Sequence, residues 1–178
     1  MLWLTCLLAA AAAFAPAPPA VEAPLSPREL PFVGAEPAPT YPALTVAAGT
    51  PIPEVRKALA ASPNGIALTL KRGARAWTAD EVEAILHRSV EARNVRVLDV
   101  SGNDIGSAGA MAIAASPHLS ALRTLDLRGC RIGETGARGL AYSEGLSALD
   151  RLVVDASDPG PRGMTELRAR YGERLIVP

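Results

Sequence analysis

Two stretches of this 178-residue chain say nearly the same thing: "VRVLDVSGNDIGSAGAMAIA" from Val95 and "LRTLDLRGCRIGETGARGLA" from Leu122. Aligned, Leu98 meets Leu125, Val100 meets Leu127, Asn103 meets Cys130, Ile105 meets Ile132 and Gly109 meets Gly136, all at a step of 27 residues. A third run, "LDRLVV", places Leu152 one further step along. A looser unit around Leu68 lies 30 residues before Leu98, its register open to a shift of two. A fixed step of about 20–50 residues means stacked supersecondary units, none of which can bury its apolar side chains without a neighbour.

Each unit reads as a strand followed by a helix. "IALTL" (66–70) has β character, and Thr78 with Glu81 three residues on is a capping box. The helix it opens has Val82, Ile85, Leu86 and Val90 on one face. "VRVLDV" leads through a Gly-rich turn to "AGAMAIAAS", "LRTLDL" to "TGARGLAYS", and "LDRLVV" to "RGMTELRARYG" before the closing "RLIVP". Upstream, "PEVRKALAAS" has proline at a first helical position and apolar spacing at Val55, Leu59 and Ala60. Strands repeatedly joined by helices imply a parallel sheet.

"VRVLDVSGNDI" and "LRTLDLRGCRI" resemble the leucine-rich repeat pattern L-x-x-L-x-L-x-x-N/C-x-[IL]. The matching residues are Val95, Leu98, Val100, Asn103 and Ile105, then Leu122, Leu125, Leu127, Cys130 and Ile132. The trailing segments Gly106 to Ala114 and Gly133 to Ala141 are similar to the helix-bearing ribonuclease-inhibitor-like subclass. The closing "LRARYGERLIV" resembles the last segment of short bacterial proteins of this kind. A third unit has Leu149, Leu152 and Val154, with Ser157 in the Asn/Cys slot. The resemblance implies an α/β fold, a leucine-rich repeat solenoid: a short right-handed β-α arc with a parallel sheet. It also implies that Asn103 and Cys130 point inward and satisfy backbone groups where the strand bends away. Cys130 is then a structural thiol, slow to react until the protein unfolds.

Catalytic chemistry has little to build on. His87 and His118 sit in no motif with a nucleophile and an acid, and no His/Cys spacing resembles a zinc site. "GNDIGSAG" lacks the Lys and Ser/Thr of a phosphate loop, since Ala110 and Met111 follow its last glycine. Gly106, Gly109, Gly133 and Gly136 read instead as residues for a tight turn and close packing. Asp150, Asp155 and Asp158 lack the spacing of a calcium loop and read as turn solvation. Asp99 and Asp126 occupy equivalent positions and should stack about 5 Å apart in neighbouring strands. That separation suits a retaining hydrolase pair, a remote alternative that the repeat itself makes unnecessary. The expectation is a chain with no catalytic site, no cofactor and no metal.

The fold points elsewhere. Residues alternating with the buried ones should line the outer side of the strands. They are Arg96, Asp99 and Ser101 in one unit, Arg123, Asp126 and Arg128 in the next, and Asp150, Val153 and Asp155 in the third. Stacked repeats make such faces into docking surfaces, so Arg96, Asp99, Ser101, Arg123, Asp126, Arg128 and Asp155 are the candidate partner-binding residues. The partner is expected to be a protein or a cell-envelope component; a tethered scaffold with no specific partner is the alternative. Lys plus Arg equals Asp plus Glu at 18 each, without the basic excess that a nucleic-acid binder needs.

The N-terminus completes the domain plan. Residues 1–15 read as a signal peptide or apolar anchor, too short to span a bilayer comfortably. The chain is thus expected to be exported, periplasmic or secreted. Membrane attachment follows only if this segment stays uncleaved. Residues 16–53, crowded with Pro and Ala, read as a disordered linker. Residues 54–178 form the repeat domain with its capping units.

Overall fold

The computed structural model describes residues 40–178. The signal-like segment 1–15 and the linker residues 16–39 lie outside the described residues. Six strands, β1 (Ala43–Ala47), β2 (Ile66–Lys71), β3 (Val95–Asp99), β4 (Thr124–Asp126), β5 (Arg151–Val153) and β6 (Leu175–Ile176), form one sheet in chain order. Every pairing is parallel. Five α-helices connect them: α1 (Ile52–Ala60), α2 (Ala79–Leu86), α3 (Gly106–Ala114), α4 (Gly133–Ala141) and α5 (Gly160–Tyr171). This is the architecture of a leucine-rich repeat solenoid.

The repeat step becomes a register. Leu44, Leu68, Leu98, Leu125, Leu152 and Leu175 stand side by side across all six strands. Leu68, Leu98, Leu125 and Leu152 are fully buried. Leu68 pairs with Leu98 without the shift that its 30-residue spacing left open. The core runs the length of the sheet, between the strands and the helices, and is built almost wholly of Leu, Ile, Val and Ala. Cys130, Met164, Tyr171 and Trp77 are the exceptions, and the Trp77 indole N–H donates to the Lys71 carbonyl at 3.2 Å.

Three placements differ from the sequence expectation. Strand β1 falls inside the stretch assigned to the linker, so the sheet begins at Ala43, before residue 54. Its five residues lie between Pro42 and Pro51, a run just long enough to make a ladder. Helix α2 stops at Leu86, and Val90 begins a 3₁₀ turn (Val90–Asn94), where it is exposed. The capping box is formed as expected, with Glu81 N–H donating to Thr78 Oγ1 and Thr78 N–H to Glu81 Oε2. Ser157 does not take the Asn/Cys slot; it is exposed, and other residues of its loop make the tie to the preceding unit.

Candidate protein-interaction face

The two sides of the sheet are set by Leu98 and its equivalents. Val97 and Asp99 flank Leu98, so both point away from the core. The pairing carries this along the sheet: Ala67, Val97, Thr124 and Arg151 form one lateral row, and Thr69, Asp99, Asp126 and Val153 a second. Val97, Asp99, Thr124 and Asp126 are half-buried. Val153 is buried at the far end, beside Ile176.

Arg96 does not sit in either row. Ile66 pairs with Val95 and Ala67 with Val97, leaving Arg96 as the extra residue of a bulge. Its guanidinium turns back to donate to the Arg93 carbonyl at 2.7 Å. Arg123, its counterpart, pairs with Asp150 at 3.2 Å. Arg96 and Arg123 thus belong to the rim where strands begin. The bulge is also why Val97, Thr124 and Arg151 were missed as candidates. Simple alternation passes over the second of the two residues between the repeat's first pair of leucine positions.

The opposite rim is formed by the turns. Asp99 accepts the Ser101 N–H at 2.9 Å, and Asp126 accepts the Arg128 N–H at 3.1 Å, so each carboxylate closes its own Asx turn. Arg128 also grips Asp126 with Nε and Nη2, the latter at 2.6 Å. Those bonds, with the charges of Asp99 and Asp155 nearby, raise the Arg128 pKa above its ordinary value. Turn closure is therefore a sufficient reason for Asp99 and Asp126 to align. In the third unit, Asp155 accepts the Gly129 N–H at 2.6 Å, and Asp158 accepts those of Ile132 and Gly133. The turn solvation expected of Asp155 and Asp158 is thus a set of ties into the preceding unit. Of the seven candidates, Asp99 and Asp126 stand on the face itself, Ser101, Arg128 and Asp155 edge it on one side, and Arg96 and Arg123 on the other.

Beneath the turns lie the two inward residues. Asn103 Nδ2 donates to the carbonyls of Leu70 (2.6 Å) and Val100 (3.0 Å), while Oδ1 accepts the Trp77 N–H at 3.1 Å. Cys130 is fully buried, and its Sγ donates to the Val100 carbonyl at 3.2 Å, one unit along from the Leu70 carbonyl that Asn103 serves. Burial pushes the Cys130 thiol up to about 12. A thiol so far from ionisation is a poor nucleophile, which agrees with a structural role. Among the described residues, no group of three or more His, Cys, Asp or Glu side chains is placed to hold a metal ion.

A leucine-rich repeat family model matches residues 91–114 and 118–141. No curated protein matches the chain. The chain carries two leucine-rich repeats, in the units of β3–α3 and β4–α4. Flanking strands and helices extend the same stack to either side, and repeats of this kind are typically a non-catalytic interaction fold.

Proposed function

We propose that this chain is an exported, non-catalytic interaction module that docks a protein or cell-envelope partner on the outer face of its strands. One observation carries the reading: Val97–Thr124–Arg151 and Asp99–Asp126 lie in register on the side of the sheet that none of the helices among the described residues covers. The face mixes small apolar, hydroxyl and charged groups, with Arg–Asp pairs at both rims. Such a face suits a polar partner, and the lack of aromatic side chains in its two rows suits modest affinity. Export rests on the apolar run at residues 2–15 and the proline-rich stretch after it. The 27-residue strand–turn–helix unit favours the ribonuclease-inhibitor-like subclass and a short bacterial type of repeat protein.

The test uses the secreted or envelope-extracted chain as bait. Val97→Glu and Thr124→Arg change side chains on the face without touching the core, and each should lower recovery of a captured partner by about tenfold or more. Circular dichroism should stay as in the wild type. If capture survives both changes but is lost with Tyr142→Ala on the helix side, the strand face is not the docking surface. N-terminal sequencing of protein recovered outside the cytoplasm checks export; an intact Met1 on a soluble cytoplasmic chain refutes it.

A further inference from the structure

The two ends of the stack are finished differently. At the C-terminal end, Tyr171 Oη donates to the Leu140 carbonyl at 2.9 Å, and Arg174 Nη1 donates to that of Leu149 at 3.0 Å. The Arg174 guanidinium also lies 5.6 Å from the centre of the Tyr171 ring. The edge strand there, β6, has two residues and runs into Pro178. At the N-terminal end, β1 has five residues, "ALTVA", with no charge, no proline and no bulge. Proteins normally blunt an exposed edge with one of these devices, because unpaired backbone groups recruit another strand. Behind the β1 edge, Leu44 and Ile52 are only partly covered.

We propose that β1 is a dimerisation edge, which takes β1 of a second copy of this chain antiparallel about a two-fold axis through Thr45. The hydrogen-bond parity fits this arrangement. Ala67 N–H bonds to the Pro42 carbonyl and Ala48 N–H to that of Lys71, so even-numbered residues of this stretch serve β2. The N–H and C=O groups of Ala43, Thr45 and Ala47 face the free side. Thr45 would exchange both bonds with Thr45 of the other copy, and each Ala47 N–H would meet the Ala43 carbonyl across the axis. The Ala47 carbonyl, which already accepts from Thr50 Oγ1 at 2.8 Å and Thr50 N–H at 3.2 Å, is also the group that the other copy's Ala43 N–H would face, so the Thr45 pair and the Ala47 N–H bonds carry the edge.

Charge and chain composition favour a second copy over other occupants. A neutral strand meets itself without repulsion. The same axis brings α1 alongside its counterpart, antiparallel. Exposed Glu54 and Lys57, neither in an ion pair among the described residues, would then face each other's equivalents. The upstream chain is a poor strand donor. Between Pro16 and Pro42 its longest proline-free run is 32–36, "FVGAE", with glycine in the middle.

The test uses the full chain with Cys6→Ser, so that Cys130, which is buried, is the only native thiol. Light scattering across protein concentrations of about 1–100 μM, the range in which a small interface associates, should show twice the mass of one chain. Thr45→Pro removes an N–H that faces away from β2 and should give a single-chain mass at the same concentrations, with the thermal midpoint kept. Thr45→Cys should form a disulfide-linked dimer on mild oxidation. Its Cα atoms would lie about 5.5 Å apart, within the roughly 4.4–6.8 Å that a disulfide spans. A wild-type chain that stays monomeric overturns the proposal, as does a dimer that survives Thr45→Pro and yields no cross-link at residue 45.

Discussion

Asn103 and Cys130 occupy the same slot but do different amounts of bonding. Asn103 joins three backbone groups from two units and the Trp77 loop, whereas Cys130 gives one weak S–H donor to Val100. Asn103→Ala leaves the Leu70 carbonyl and the Trp77 N–H without their side-chain partner in a dry interior, while the Val100 carbonyl keeps the Asn103 N–H and the Cys130 thiol. Each orphan costs about 1–3 kcal/mol, so the variant should lose about 2 kcal/mol or more in a urea titration. A loss under about 1 kcal/mol would mean that water reaches the slot. Cys130 makes its own prediction, because a thiol raised to about 12 offers almost no thiolate at neutral pH. Iodoacetamide should modify Cys130 far more slowly in native protein than in urea, as read by peptide mass mapping that separates it from Cys6. Equal rates in the two states would remove the case for a structural thiol. The inward role of both residues was legible from their place in the repeat. The contribution of Trp77 was not, since its backbone reaches Asn103 from 26 positions away and no spacing in the chain signals that contact.

Strands and helices were legible to different depths. β3, β4 and β5 follow from the 27-residue step, because the same leucine must return to the same buried row. β1 breaks that step, with Leu44 24 residues before Leu68, and its apolar run is short and framed by prolines, so composition pointed to linker. The outer face was half legible: alternation found Asp99 and Asp126, and the bulge at Arg96 hid Val97, Thr124 and Arg151. The glycines at 109, 136 and 163 keep the step as well; a Cβ at Gly109 would meet Ile105 at the start of its own helix, whereas at 136 and 163 the purpose is helix against helix. A Cβ at Gly136 would stand 2.9 Å from that of Ala110, and one at Gly163 would stand 2.7 Å from that of Ala137. Gly136→Ala therefore sets two effects against each other. Helix propensity favours alanine by about 1 kcal/mol, but overlap with a Cβ fixed to the next helix costs about 1–3 kcal/mol. Overlap should win, lowering stability by about 1 kcal/mol. The double change Ala110→Gly with Gly136→Ala should recover part of that loss. If Gly136→Ala alone is stabilising, the helices are less tightly seated than this packing requires.

As a whole, the molecule is a one-dimensional stack in which each unit leans mainly on its neighbours. Buried Ser116 and Ser143 show this, since their hydroxyls donate to the carbonyls of Leu86 and Ala114, each in the preceding unit. Tyr171 does the same for Leu140 at the C-terminal end. In such a chain, stability is close to a sum of unit and interface terms, and damage at one end spreads only as far as the next interfaces hold. Tyr171→Ala removes a buried ring and its hydrogen bond to the Leu140 carbonyl, and also the platform beneath Arg174. Loss of a buried aromatic of this size costs about 3–5 kcal/mol, enough to open the last interface without melting the first. Native-state hydrogen exchange should then show amides of α5 and β5 losing protection by about two to three decades, while β2 and β3 keep most of theirs. Uniform loss across all six strands would instead show that the stack unfolds as one unit, with its end cap coupled to every repeat.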